Sequence, residues 1–129
     1  MFIIHALLES AWNSARERDY YGENYLESEG FIHCSDIHTF HRVAPNFAGV
    51  KEPMALLCID AEKVEPEVKW EDPDNCGTKY PHIYGLLNLS AVVRVFPYLK
   101  DENGGWIANR ELEEYRGKDE KRAVSQAGA

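Results

Sequence analysis

Two short apolar segments of this 129-residue chain each carry a histidine that could do acid–base or ligand-binding chemistry. Residues 30–35 contain His33 and residues 80–85 contain His82, while a third histidine, His5, closes the apolar run at residues 1–4. Their β-branched and aromatic residues, bounded by Gly, Pro or polar residues, are typical of strands. A buried imidazole needs polar partners. Three histidines on such strands therefore indicate either one shared polar pocket or three separate core histidines.

The phase of the strands favours the shared pocket. Side chains alternate between the two faces of a strand, so Ser35 lies on the face of His33 and Tyr84 on the face of His82. Imidazoles titrate near neutral pH, and hydroxyl groups both donate and accept hydrogen bonds. We therefore predict one cleft lined by His5, His33, Ser35, His82 and Tyr84.

Such a cleft suits either the binding of ribose hydroxyls and phosphate oxygens or acid–base catalysis near neutral pH. His33 and His82 are the predicted catalytic acid and base. A carboxylate that steadies positive charge could come from Glu29 or Glu71, and Glu71 is counted among the catalytic residues. Four aromatic residues could stack on a flat ring, namely Trp12, Tyr21, Tyr80 and Tyr84.

Metal and cysteine chemistries fit the sequence less well. His33, His38 and His41 are close in sequence, but His33 lies on a predicted strand and the other two lie on a predicted helix. The chain has no HExxH motif. We therefore expect no metal site. Cys34 follows His33 directly and so points to the opposite face of the strand, which disfavours a Cys–His dyad. Glycine-rich phosphate loops are absent.

Composition limits the partners of the chain. A formal net charge of −8 argues against non-specific binding of nucleic acid, which needs a basic surface. The apolar runs are far shorter than the roughly 20 residues of a membrane span. Three cysteines without CxxC spacing indicate a reducing compartment. We expect a cytosolic protein, monomeric or weakly dimeric, that binds a small-molecule or nucleotide-like ligand.

The order of predicted elements favours an α+β fold with a split, mostly antiparallel sheet and two early helices. A helix is predicted at residues 9–18, a loop at 20–29, and a second helix capped by Ser35. Further strands are predicted at residues 54–59, 68–71 and 91–97. We expect residues 1–100 to form one domain and residues 101–129 to form a polar extension, partly helical or disordered. Within that extension, a short helix is predicted at 109–115 and a frayed tail after Gly117.

The segments GFIHCS at residues 30–35 and PHIYG at 81–85 resemble a bacterial family called domain of unknown function 952. The resemblance covers about residues 1–98. That family resembles the ADP-ribosyltransferase fold, particularly its tRNA 2′-phosphotransferase branch. The resemblance implies an NAD pocket with His5 at the first histidine motif and with His33 and Ser35 at the second. The first motif here reads His-Ala-Leu instead of His-Gly-Thr, and the arginines that bind RNA phosphate have no evident counterpart.

These observations predict a histidine-lined pocket for a ligand such as NAD or ADP-ribose, with transfer or hydrolysis at the ribose. In this hypothesis the histidines bind ribose hydroxyls, Ser35 orients a neighbouring group, and Tyr84 covers the nicotinamide ring. Two alternatives stay open. One is an enzyme that uses His33 and His82 as acid and base on a small metabolite other than NAD, and the other is a ligand-binding module without catalysis.

Overall fold

The computed structural model describes residues 1–127, with side chains through residue 122. Four α-helices and eleven strands are found within these residues. The helices are α1 (Glu9–Ala15), α2 (Glu23–Glu29), α3 (Phe40–Val43) and α4 (Arg110–Ala127). The strands are β1 (Phe2–Leu8), β2 (Tyr20–Tyr21), β3 (Ile32–His33), β4 (Ser35–Asp36), β5 (Met54–Asp60), β6 (Glu67–Glu71), β7 (Tyr80–Tyr84), β8 (Leu87–Asn88), β9 (Val92–Pro97), β10 (Leu99–Lys100) and β11 (Trp106–Ile107).

The strands form a divided, antiparallel arrangement, which confirms the predicted α+β class. The largest sheet has the order β4-β1-β5-β9, and each neighbouring pair is antiparallel. A second sheet has the order β3-β7-β6, and β2-β8 and β10-β11 form two small ribbons. Every residue of β5 is buried, as its near-continuous apolar run predicts.

Two hydrophobic cores lie on opposite faces of the large sheet. Side chains of β1 alternate between them, so that Ile3 belongs to the first core and Ile4 to the second. The first core includes Ile83 of the second sheet, and the second includes Leu112 of α4. The large sheet is therefore covered by the second sheet on one face and by α3 and α4 on the other.

Three α-helices precede β5, so the prediction of two early helices is wrong. Residues 20–29, predicted as a loop, contain β2 and the seven-residue helix α2. Gly22 and Gly30 bound that helix with φ angles of 116° and 85°, a backbone conformation that favours glycine. Ser35 does not cap a helix, because it pairs with Ile4 across β4 and β1.

The C-terminal segment differs most from the prediction, because α4 continues through the predicted frayed tail. Asp119 is only 5% exposed. Its Oδ1 accepts the backbone N–H of Phe2 at 2.7 Å, and its Oδ2 lies 2.9 Å from Nε2 of His38. A buried carboxylate thus attaches this end of α4 to β1. The part of the prediction that concerns residues 128 and 129 lies outside the described residues.

Candidate functional site

A cleft of about 560 Å³ lies where the second sheet meets α2, α3 and the loop before β7. His5, His33, Ser35 and His82 all line it. The remaining polar or thiol side chains in its wall are those of Tyr25, Glu29, Cys34, Arg42, Asn46, Asp72, Asp74, Cys76 and Tyr80. The four predicted residues that line the cleft come from β1, β3, β4 and β7, which are distant in sequence.

The register of β3 against β7 places His33 opposite His82. Ile32 pairs with Ile83 in the same ladder, and both isoleucines are completely buried. Because side chains alternate along each strand, burial of the isoleucines turns both histidines to the other face. The two imidazole centroids are 5.3 Å apart with an interplanar angle of 79°.

His82 is held by a carboxylate. Its Nδ1 lies 2.9 Å from Oε1 of Glu71, and the same oxygen accepts a hydrogen bond from the Tyr84 hydroxyl at 2.5 Å. These two bonds, that of Tyr84 first, lower the pKa of Glu71. Glu71 is therefore ionised at neutral pH, so in the neutral form of His82 the proton is on Nδ1 and Nε2 is an acceptor. Phe31 stacks on the imidazole with a centroid distance of 4.2 Å.

His33 has a carboxylate partner of its own. Its Nε2 lies 2.6 Å from Oε2 of Glu29, and both side chains are about half exposed, at 51% and 45%. Glu29 is the last residue of α2, the helix that the sequence did not predict. The two carboxylates considered from the sequence, Glu29 and Glu71, therefore each contact a different histidine.

His5 lines the cleft as a core histidine. Its Nδ1 lies 2.7 Å from the carbonyl oxygen of His33, and its Nε2 lies 3.0 Å from the Tyr21 hydroxyl. Burial lowers the pKa of His5 to about 4, so the ring is neutral at pH 7. Both nitrogens have partners in the protein. A hydrogen bond from His5 to a ligand would require one of these partners to move.

The other predicted site residues occupy different places. Ser35 is buried in the cleft wall, where its hydroxyl donates to the carbonyl of Asp36 at 3.1 Å. Tyr84 and Glu71 are absent from the described cleft wall. Glu71 contacts His82, and Tyr84 contacts Glu71. Trp12 is not beside the histidines, because α1 directs it into a separate open cleft along β9 and the start of α4.

Sequence reasoning missed Arg42 and Asn46, which both line the histidine cleft. They are four residues apart on α3 and the 3₁₀ turn that follows it. Their spacing was the available signal, because residues four apart share one side of a helix.

Two further properties concern the described residues as a whole. No group of three or more His, Cys, Asp or Glu side chains among them is arranged to hold a metal ion. None of their helices has both the length and the apolar character needed to cross a membrane.

Comparison with known proteins identifies a family that this sequence matches. Residues 6–95 match the family described as Protein of unknown function (DUF952). The chain is also similar to protein CC0527 from Caulobacter crescentus. The crystal structure of that protein is 27% identical, covers 88% of this chain and 99% of its own, and superposes with a TM-score of 0.75. Its solution NMR structure is 28% identical, covers 81% and 90%, and has a TM-score of 0.66. Among curated proteins none matches.

Proposed function

Because the chain belongs to the DUF952 family, whose motif segments build the histidine cleft, we propose that this cleft is an active site. Its substrate is a ribose-containing nucleotide such as NAD or ADP-ribose, and the reaction is transfer or hydrolysis at the ribose. The observation that carries the proposal is the Glu71–His82 pair, with His33 directly across the ladder.

The Glu71–His82 pair has the arrangement of a general base and its orienting carboxylate. Glu71 holds the Nδ1–H tautomer of His82, and Tyr84 holds Glu71. The Nε2 of His82 is then free of the proton and can accept one from a nucleophile. The ring is only 3% exposed, so competition from bulk water at this group is small.

Cleavage of the bond between nicotinamide and ribose in NAD needs one base. The oxygen of water or of an acceptor hydroxyl bonds to C1′ of the ribose and transfers its proton to His82. The glycosidic bond breaks at the same time, and nicotinamide leaves with the bonding electron pair as a neutral molecule. His33, whose Nε2 contacts Glu29, accepts a hydrogen bond from a ribose hydroxyl at its Nδ1 and keeps C1′ near the base.

The dimensions of the cleft support a nucleotide-sized ligand. Its volume of about 560 Å³ lies inside the usual range for small-molecule sites. Tyr80 lines the wall two residues before His82, where it can contact a flat ring. Tyr84 acts as a positioning residue for Glu71 in this proposal and does not cover the nicotinamide. The resemblance of the motifs to ADP-ribosyltransferases supports NAD as the nucleotide.

Calorimetry and nicotinamide release test the proposal. We expect NAD or ADP-ribose to bind the wild-type protein, and we expect His82→Gln to lower nicotinamide release by about 10²- to 10⁴-fold while binding is retained. His41→Gln is the matched control, because His41 is exposed and outside the described cleft wall. Absence of binding heat at millimolar NAD would contradict the nucleotide proposal. Equal turnover in all variants would show that His82 is not the base, and binding without nicotinamide release would indicate a module without catalysis.

The acidity of the cleft favours a second candidate, an acid–base enzyme for a small hydroxylated metabolite. Glu29, Asp72 and Asp74 line the cleft with the single arginine Arg42, and this excess of negative charge favours an uncharged hydroxylated ligand over a polyphosphate. Here His82 removes a proton from the substrate and His33 returns one. A thermal-shift screen of sugars and hydroxy acids tests this candidate, because a ligand that binds the folded state raises its melting temperature. The stabilisation should be smaller in His33→Ala than in His41→Gln.

A further inference from the structure

We propose that Arg42 binds an anionic group of the cleft ligand, of the phosphate or pyrophosphate class. The inference rests on the proposed function in taking this cleft as the ligand site. It adds an anchoring residue and a charge pattern that neither the family match nor the motifs supply.

Arg42 brings a positive charge to a cleft wall that also holds three carboxylates. Among the described residues that line it, Arg42 is the one lysine or arginine. Of the three carboxylates there, Glu29 pairs with His33, and Asp72 accepts the backbone N–H groups of Cys76 and Gly77, both at 2.8 Å. An anion in the cleft is therefore bound most favourably beside Arg42.

The guanidinium of Arg42 has more N–H donors than its contacts within the described chain use. Its Nη1 donates to Oγ1 of Thr78 at 2.5 Å, and no carboxylate within the described chain forms an ion pair with it. A guanidinium has five N–H donors and matches two oxygens of a phosphate at once. Thr78 thus fixes the direction of the side chain. The remaining N–H groups stay available to a ligand.

A second donor lies beside Arg42. Asn46 follows four residues later and lines the same cleft, so its side-chain amide can add a hydrogen bond to the same anion. Thr78, which holds Arg42, precedes His82 by four residues. At a strand rise of about 3.3 Å, the Cα atoms of Thr78 and His82 are at most roughly 13 Å apart. Arg42 and His82 line the same cleft, so one ligand can contact both.

Binding measurements with three probes test the inference. The probes are inorganic pyrophosphate, NAD and nicotinamide riboside, which has the ring and ribose of NAD without its pyrophosphate. We expect Arg42→Ala to weaken binding of pyrophosphate and NAD by about 10- to 100-fold, the value of a charged hydrogen bond, and to leave nicotinamide riboside unaffected. Arg42→Lys should recover part of the loss. Arg18→Ala is the control, because Arg18 is exposed, pairs with Glu23 and is outside the described histidine cleft.

The outcomes separate the inference from the proposed function. If NAD binds and Arg42→Ala binds it equally well, the inference is overturned and the proposed function stands. If NAD fails to bind but pyrophosphate binds in an Arg42-dependent way, the nucleotide proposal fails and the anion site stands. If pyrophosphate at millimolar concentration does not bind the wild-type protein, Arg42 is no anion site.

Discussion

Replacement of Asp119 by alanine tests whether a single buried carboxylate attaches α4 to β1. Asp119 accepts the backbone N–H of Phe2 and contacts Nε2 of His38, and the amino group of Met1 lies 3.8 Å from its Oδ1. Alanine removes all three contacts and leaves the N–H of Phe2 without its acceptor. The apolar contacts of α4 through Leu112 remain in place.

The expected loss follows from the two shorter contacts. A buried donor left unsatisfied costs about 1–3 kcal/mol, and the bond to His38 is partly exposed and adds about 1 kcal/mol. The sum is about 2–4 kcal/mol in the free energy of unfolding. For a domain of this size, that lowers the melting temperature by about 8–15 °C.

Thermal and urea unfolding of three variants measure this loss. Glu114→Ala is the control, because it removes an exposed carboxylate of the same helix and should change stability by less than about 0.5 kcal/mol. A chain truncated after Gly117 lacks Asp119 and should lose at least as much as Asp119→Ala. A truncated chain that melts within a few degrees of the full chain would refute the reasoning and would support the frayed tail that the sequence predicts.

Three other predictions concern single side chains. Burial lowers the pKa of His5 from 6.5 to about 4, so the unfolded chain takes up a proton at a higher pH than the folded chain does. The free energy of unfolding of the wild type should therefore drop by about 3 kcal/mol as the pH falls from 6.5 to 4, relative to the His5→Gln variant. Urea titrations at several pH values measure this drop. Tyr84→Phe removes the main cause of the lowered pKa of Glu71, so the carboxyl ¹³C titration of Glu71 should move to higher pH. Cys76 is exposed and the other two cysteines are buried, so a thiol reagent should modify one cysteine rapidly and all three only after unfolding.

The sequence predicted the parts of the fold that depend on apolar alternation. One such part is β5, a near-continuous apolar run. Another is the shared sheet face of His33 and His82, which the alternation of each histidine with a buried isoleucine determines. A short helix such as α2 has too few residues to show a period, and glycines at both ends define it. The cytosolic location and the monomeric or weakly dimeric state stay predictions.

The rest of the site depends on contacts between distant residues. Asp119 reads in sequence as part of a solvated charged stretch, and only the N–H of Phe2 and the ring of His38 make its burial favourable. Trp12 has the residue type of a ligand-stacking side chain, but the direction of α1 sends it to another cleft. Residue type and spacing could not predict these positions, because tertiary packing sets them.

The direct pairing of His33 with His82 makes the site sensitive to insertions. Each histidine keeps its face only while both strands keep their residue count relative to the buried isoleucines. One residue added inside β3 or β7 would turn the histidine beyond it into the core and bring an isoleucine to the cleft. Loops around the cleft can vary in length without this effect. Over evolutionary time, homologous chains that retain the activity should therefore differ by insertions in the loop before β7 and not within either strand.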